Sequence, residues 1–164
     1  MPLGWLGKKW NIMPHAIDVL ESDHHDIQVM LDMIAQTPAQ DLDARQELLA
    51  KISRALRTHA QIEEEILYPA LEKSAKSQSR QFFAPEGWKE FWQVEKLLLP
   101  DLEETALGSN EFTEWIRVLK ELVARHVDEE RSLFTAAREL LSHEELDAMG
   151  QTMAMRKHEL LHST

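Results

Sequence analysis

The sequence predicts an all-α fold: an up-down-up-down four-helix bundle with an N-terminal arm and a short C-terminal helix. The 164 residues include only 5 Gly and 6 Pro, and the chain is rich in good helix formers. Apolar residues recur at spacings of three and four, and no β-branched run alternates with polar residues. This length suits a single domain. We therefore expect an arm over residues 1–13 and one bundle domain over residues 14–164.

The first two helices are bounded by recognisable cap and breaker residues. The apolar pattern predicts the first helix over about residues 14–35, with a proline in its first turn. The second begins near Asp41 or Asp43, both of which are good N-caps. Pro69 is expected to end or kink this helix, because proline lacks the N–H that continues the ladder. The polar stretch 73–80 predicts a loop or a frayed end.

The second half of the chain predicts two further long helices and one short helix. The third begins around Pro85 and is expected to kink at Pro100. Residues 108–110 (Gly-Ser-Asn) predict a stop followed by an N-cap, after which the fourth helix starts. Residues 142–145 (Ser-His-Glu-Glu) form a capping box that predicts a short fifth helix.

The composition excludes several classes of partner and cofactor. The chain has 18 Lys and Arg against 29 Asp and Glu, a formal net charge of −11, whereas nucleic acids and anionic membranes call for a basic surface. No cysteine is present, which excludes disulfides, zinc–thiolate sites and iron–sulfur clusters. No apolar run approaches the roughly 18 residues of a membrane span. The N-terminus lacks the apolar core of a signal peptide, so we expect a cytoplasmic protein.

Ionisable residues interrupt the apolar stripe of every main helix, in phase with it. In the second and fourth helices, His59 and Glu63 and likewise His126 and Glu130 are four residues apart, one turn above each other. His25 points about 100° around the first helix from its inward neighbour and is expected to face solvent. The inward set predicted from helical phase is His24, His59, Glu63, Glu95, His126 and Glu130.

A shared metal centre explains these buried polar groups better than four separate accidents. Burying an unpaired carboxylate costs several kcal/mol, so an inward charge calls for a partner. Imidazole and carboxylate ligands suit iron, and carboxylates bridge two cations in bundle cores. Zinc prefers four ligands whereas this set offers six; manganese takes similar ligands and stays an alternative. The competing interpretation is a structural bundle in which buried polar groups only specify register.

Three segments resemble the hemerythrin-like (HHE cation-binding) family. Asp23-His24 resembles the Asp-His of its first helix, and residues 59–71 (HAQIEEEILYPAL) resemble the His-x-x-x-Glu-Glu…Tyr-Pro signature of its second. Residues 125–140 (RHVDEERSLFTAAREL) are similar to its fourth-helix signature, with Thr135 where proline is usual. The likeness runs over about residues 14–157.

The resemblance implies a bundle holding two iron ions joined by an oxo or hydroxo bridge. By position, His24, His59 and His126 would be terminal ligands, and Glu63 and Glu130 would bridge the ions. The small ligand implied is dioxygen, nitric oxide or peroxide. The sequence does not decide between a binding or sensing protein and a redox enzyme that acts on peroxide, nitric oxide or ferrous iron.

The third helix departs from the family pattern. The family has a histidine where this chain has Phe91 or Trp92. Glu95 lies one turn further along the same predicted face and is expected to bind the second iron instead. The alternative is that this ligand is lost and one iron is weakly held or missing. A carboxylate in place of a histidine would stabilise ferric iron, which favours redox chemistry or iron handling over reversible oxygen carriage.

Overall fold

The computed structural model of the protein describes residues 15–80 and 96–162, and every regular element within them is helical. This confirms the all-α helical bundle; the predicted N-terminal arm lies outside the described residues. The elements, in chain order, are α1 (Ala16–Gln36), α2 (Leu42–Ile62), a π-helical segment (Glu63–Leu67), α3 (Tyr68–Ser77), the helical residues 96–104 (α4), α5 (Asn110–Leu140) and α6 (His143–His162). Among the described residues, no helix is both long enough and apolar enough to cross a membrane.

Side-chain caps start the helices where the sequence predicted them. Asp41 Oδ1 accepts a hydrogen bond from the Ala44 amide at 3.2 Å. Ser109 is the N-cap of α5, and the Ser142 hydroxyl accepts a hydrogen bond from the Glu145 amide at 3.1 Å. These caps satisfy backbone donors that have no partner inside the helix.

The second predicted helix does not end at Pro69, since helical residues continue past it to Ser77. The π-helical turn Glu63–Leu67 precedes the proline, and the Tyr68 amide donates to the Glu63 carbonyl, five residues back. Proline removes a backbone donor and crowds the preceding turn, and the wider π-turn leaves room for the ring within the helix. Helix α3 then runs to Ser77, so most of the predicted loop 73–80 is helical.

The C-terminal helix is not short, as the sequence analysis expected, but 20 residues long. It packs against α1, α2 and the π-helical segment. Leu146, Met149 and Met153 are buried on its inner face. At the surface, Arg156 forms a salt bridge with Glu65 of the π-helical segment at 2.8 Å. The capping box predicted where this helix begins. The helix itself is only weakly amphipathic, so the sequence pattern did not predict where it ends.

The buried apolar residues form two clusters along the length of the bundle, with a polar layer between them. One cluster joins the start of α1, α3, the end of α5 and α6. The other joins the end of α1, α2, α4 and the start of α5. The apolar residues that bracket the polar layer are, helix by helix, Leu20 and Ile27, Leu56 and Ile62, and Val123 and Leu133. The polar layer therefore lies inside the bundle, shielded from water at both ends.

Candidate metal centre

The polar layer brings together five of the six side chains that the sequence predicted as metal ligands. His24 comes from α1, His59 from α2, Glu63 from the first position of the π-helical segment, and His126 and Glu130 from α5. All five are buried, and none has more than 5% of its surface exposed. One donor atom each from the three histidines and Glu130 lie within 4.8 Å of one another.

Glu130 lies between two imidazole rings. Its Oε2 is 2.7 Å from His24 Nε2, and its Oε1 is 3.0 Å from His126 Nε2. The His126 contact follows from the i,i+4 spacing on α5. Although both contacts are short, their directions do not suit hydrogen bonds, so within the described residues neither oxygen of Glu130 has a hydrogen-bond partner. Buried carboxylate oxygens that face nitrogens in this way fit a site where both groups bind a cation.

Glu63 takes a similar position on the opposite side of the cluster. Its Oε1 lies 2.8 Å from His59 Nε2 and 3.6 Å from His126 Nε2. Each glutamate therefore contacts histidines of two different helices. Two carboxylates that each face imidazoles of two helices fit a metal-binding site built from nitrogen and oxygen donors.

Asp23 orients His59, a role that the sequence analysis did not predict. His59 Nδ1 lies 3.1 Å from Asp23 Oδ2, and Lys157 of α6 contacts the other oxygen, Oδ1. A neutral imidazole that donates from Nδ1 presents the lone pair of Nε2 to the cluster, and histidine ligands of metals are commonly held by such a carboxylate. The sequence analysis named Asp23 as part of the Asp-His motif without giving it a role, because helical phase places it about 100° away from His24.

Tyr68 is a second partner that the sequence analysis missed. Its hydroxyl donates to Glu63 Oε2 at 3.3 Å, and the residue is buried. On a regular α-helix, residues five apart lie about 140° away from each other. The π-helical turn between Glu63 and Tyr68 removes this offset and stacks the phenol near the carboxylate.

The electrostatics of the cluster favour charged groups despite burial. Burial lowers the pKa of His59 and of His126, but the neighbouring carboxylates have the larger effect. They raise the pKa of His59 well above its ordinary value and the pKa of His126 to about 9. Burial raises the pKa of Glu63 and Asp23, yet the charge and hydrogen bond of His59 help to hold both below their ordinary values. Protons on His59 and His126 thus balance the carboxylates, and a bound cation would replace those protons.

The residues next to the cluster lie as helical phase predicts. His25 is exposed, as expected, and so are Glu64 and Glu65. The sixth predicted ligand, Glu95, lies outside the described residues, together with the aromatic residues Trp88, Phe91 and Trp92. Its role stays a prediction.

A helical bundle with three imidazoles and two carboxylates enclosed between two apolar clusters is a metal-binding class of protein. The model of the hemerythrin HHE cation-binding domain matches residues 15–137. The chain belongs to this family, as its sequence motifs indicated.

Two known proteins extend this comparison. The crystal structure of a hemerythrin HHE cation-binding domain-containing protein from Mycobacterium kansasii matches with a TM-score of 0.73 and 25% sequence identity, over 89% of this chain and 86% of that one. A DNA nickase from Nostoc sp. is 30% identical over an alignment of 134 residues, and the match covers 79% of this chain. The chain covers 35% of the nickase, about a third of its length.

Proposed function

We propose that the chain is a non-haem di-iron protein that interacts with dioxygen or with reactive oxygen or nitrogen species. The observation that carries this proposal is the enclosed cluster of His24, His59, His126 and Glu130, with Glu63 shared between two of the histidines. Imidazole and carboxylate without thiolate suit iron, and manganese takes similar ligands. When bound, the ions would supply redox-active centres to which small oxygen or nitrogen species coordinate.

A cavity between α1 and α5 supports access of such a small species to the centre. Its volume is about 290 Å³, and its wall includes His24, Gln28, Val127 and Phe134. The ring of Phe134 stacks against His24 with centroids 5.9 Å apart and planes inclined by 23°. A ligand at the base of this cavity would be next to a histidine of the cluster while the rest of the centre stays enclosed.

The hydrogen bond from His59 to Asp23 favours a second candidate, a redox enzyme acting on peroxide, nitric oxide or ferrous iron. A carboxylate that accepts a hydrogen bond from an imidazole makes that imidazole a stronger electron donor to a bound metal, and so stabilises the higher oxidation state of the metal. That effect disfavours a long-lived reversible dioxygen complex. It is compatible with chemistry in which the ions are oxidised in each cycle.

The likeness to a DNA nickase does not lead us to propose DNA cleavage for this chain. The match covers about a third of that protein. The net charge of −11 opposes contact with phosphates. We interpret the shared stretch as a common cation-binding domain.

Metal analysis of the chain, purified without added metal, tests the proposal. We expect about two iron ions per chain, because Glu63 and Glu130 each face histidines of two helices, an arrangement that suits carboxylates bridging two cations in a bundle core. Optical spectra of the reduced protein under dioxygen, nitric oxide and peroxide then separate a binding protein, which returns to its starting spectrum, from an enzyme, which turns over. A folded chain that binds neither ferrous iron nor manganese would contradict the proposal.

A matched pair of variants tests the access route. Val127→Trp fills the cavity beside His24 and is expected to slow the reaction with small ligands without changing iron content. Ala35→Trp fills a different cavity, lined by residues of α1, α2 and α5 away from the cluster, and should leave that reaction rate unchanged. Equal rates in both variants and the unmodified chain would show that ligands enter elsewhere.

A further inference from the structure

Lys157, on the C-terminal helix α6, is connected to the candidate metal centre through Asp23, although it lies beyond the residues that match the family model. The family match ends at residue 137, whereas Lys157 lies near the end of α6 (His143–His162). Its ammonium group contacts Asp23 Oδ1, and Asp23 Oδ2 lies 3.1 Å from His59 Nδ1. Side chains of α6, α1 and α2 thus form a continuous polar connection that ends on a histidine of the cluster.

The connection runs from the surface to the interior. The side chain of Lys157 is 32% exposed and that of Asp23 6%, while that of His59 is 1% exposed. Lys157 and Asp23 also line a cavity of about 510 Å³ between α1, α2 and α6. Without the ammonium group, Asp23 would keep one hydrogen-bonding partner and gain room to rotate away from His59.

The position of Lys157 on α6 is fixed by its neighbours. Met153, one turn earlier on the helix, is fully buried, so the face that carries Lys157 is held against the bundle. On the outer face, Arg156 pairs with Glu65 at 2.8 Å and with Glu159 at 3.1 Å. Two adjacent cations of one helix therefore have different roles, since only the lysine contacts Asp23.

We propose that Lys157 is a positioning residue that acts through Asp23 to set how strongly His59 binds metal. This inference rests on the proposed function of the cluster. The ammonium group holds the Asp23 carboxylate charged and in place, so the neutral imidazole carries its proton on Nδ1 and turns its Nε2 lone pair toward the bound ion. The C-terminal helix is then part of the metal centre as well as of the fold.

The test compares the metal affinity of three variants with that of the unmodified chain by competition with a chromophoric chelator, using ferrous iron and, in parallel, redox-inert zinc. Removing an outer partner of a metal ligand commonly costs 10–100-fold in affinity, and we expect about tenfold for Lys157→Met because it acts through Asp23. Lys157→Arg, which keeps the charge, should restore most of the affinity. Arg156→Met is the matched control and should bind like the unmodified chain.

A double-mutant cycle separates positioning from a general loss of structure. Asp23→Asn alone should weaken binding, and Lys157→Met added to it should have no further effect, because its route of action is already broken. Additive losses, or a Lys157→Met chain that binds normally, would overturn the inference. If Lys157→Met does not fold, Lys157→Gln takes its place in the same cycle.

The same measurements distinguish failure of this inference from failure of the proposed function. An unmodified chain that binds neither ferrous iron nor zinc would overturn both. An unmodified chain that binds metal as tightly as its Lys157→Met variant would overturn only the role of Lys157.

Discussion

The Nε2 atoms of His24 and His59 lie 3.2 Å apart in the interior of the bundle, on helices joined by a single short turn. Each nitrogen also faces a glutamate, Glu130 for His24 and Glu63 for His59. A hydrogen bond between the two nitrogens requires one Nε2 to carry a proton and the other to be free of it. Their convergence is readily understood if both rings face a common cation or cation pair.

His59→Ala or His126→Ala should therefore remove most of the bound iron, whereas His25→Ala should leave it in place. His59 and His126 are buried in the cluster, and His25 is exposed one residue beyond His24. Iron per folded chain, measured by a colorimetric chelator assay, gives the answer. A His25→Ala chain that loses iron while His24→Ala keeps it would contradict this assignment.

Helical periodicity predicted which ionisable side chains lie together in the core, and their role as metal ligands stays a prediction. His59 and Glu63, and His126 and Glu130, are one turn apart in phase with apolar neighbours, and the structure brings both pairs together. Lys157 could not be predicted in this way. It contacts Asp23 across 134 residues of chain, and no local pattern encodes that contact.

Tyr68 shows a different limit of sequence reasoning. An ideal helix places it away from Glu63, and only the π-helical turn before Pro69 brings the two together. The Tyr-Pro pair of the family signature was the available signal. It marked the position without indicating which carboxylate the phenol would contact.

Stability of the metal-free protein should fall as the pH rises from about 6.5 to about 9. The pKa of His126 is raised from an ordinary value of 6.5 to about 9, so its stabilising contribution is complete below pH 6.5 and disappears as the pH rises through the folded-state value. Metal binding needs the neutral imidazole, so iron affinity should increase over the same range. Thermal unfolding of metal-free and iron-loaded protein across this range measures both effects.

The control for this pH dependence is a pair of variants. His126→Gln should make the profile of the metal-free protein less steep, because it removes one of the two histidines whose pKa is raised. His25→Ala should keep it, since His25 lies outside the cluster. A melting temperature of the metal-free protein that rises between these pH values would show that the histidines of the cluster are not stabilised as cations.

Tyr68→Phe should destabilise the metal-free protein by about 1 kcal/mol, in the range of a single hydrogen bond. The phenol is buried and donates to Glu63 Oε2 at 3.3 Å, which is long for a hydroxyl donor. Urea unfolding followed by circular dichroism measures the change. Thr152→Ala, which alters an exposed hydroxyl on α6, serves as a control; an equal effect of the two substitutions would argue against a role for the phenol.

Glu95→Ala should lower the iron content from about two toward about one per chain, in keeping with a donor set too large for one ion. In α4, Leu99 and Leu102 are fully buried within the apolar cluster of α1, α2 and α5. Glu95 precedes them by four and seven residues, a spacing that places all three on one face of a helix. A carboxylate on that face needs a cationic partner, and the second iron would provide one.

Glu90→Ala is the matched control, because Glu90 lies five residues before Glu95 and about 140° around a helix from it. It should keep both irons, and Glu95→His should also keep them while shifting the optical spectrum toward that of a histidine-rich site. An unchanged iron count in Glu95→Ala would favour the alternative in which the third-helix ligand is lost. Suppose instead that Glu90 proves essential and Glu95 dispensable. The helix that the sequence predicts from about Pro85 is then rotated by more than a quarter turn from the phase that the buried leucines of α4 indicate.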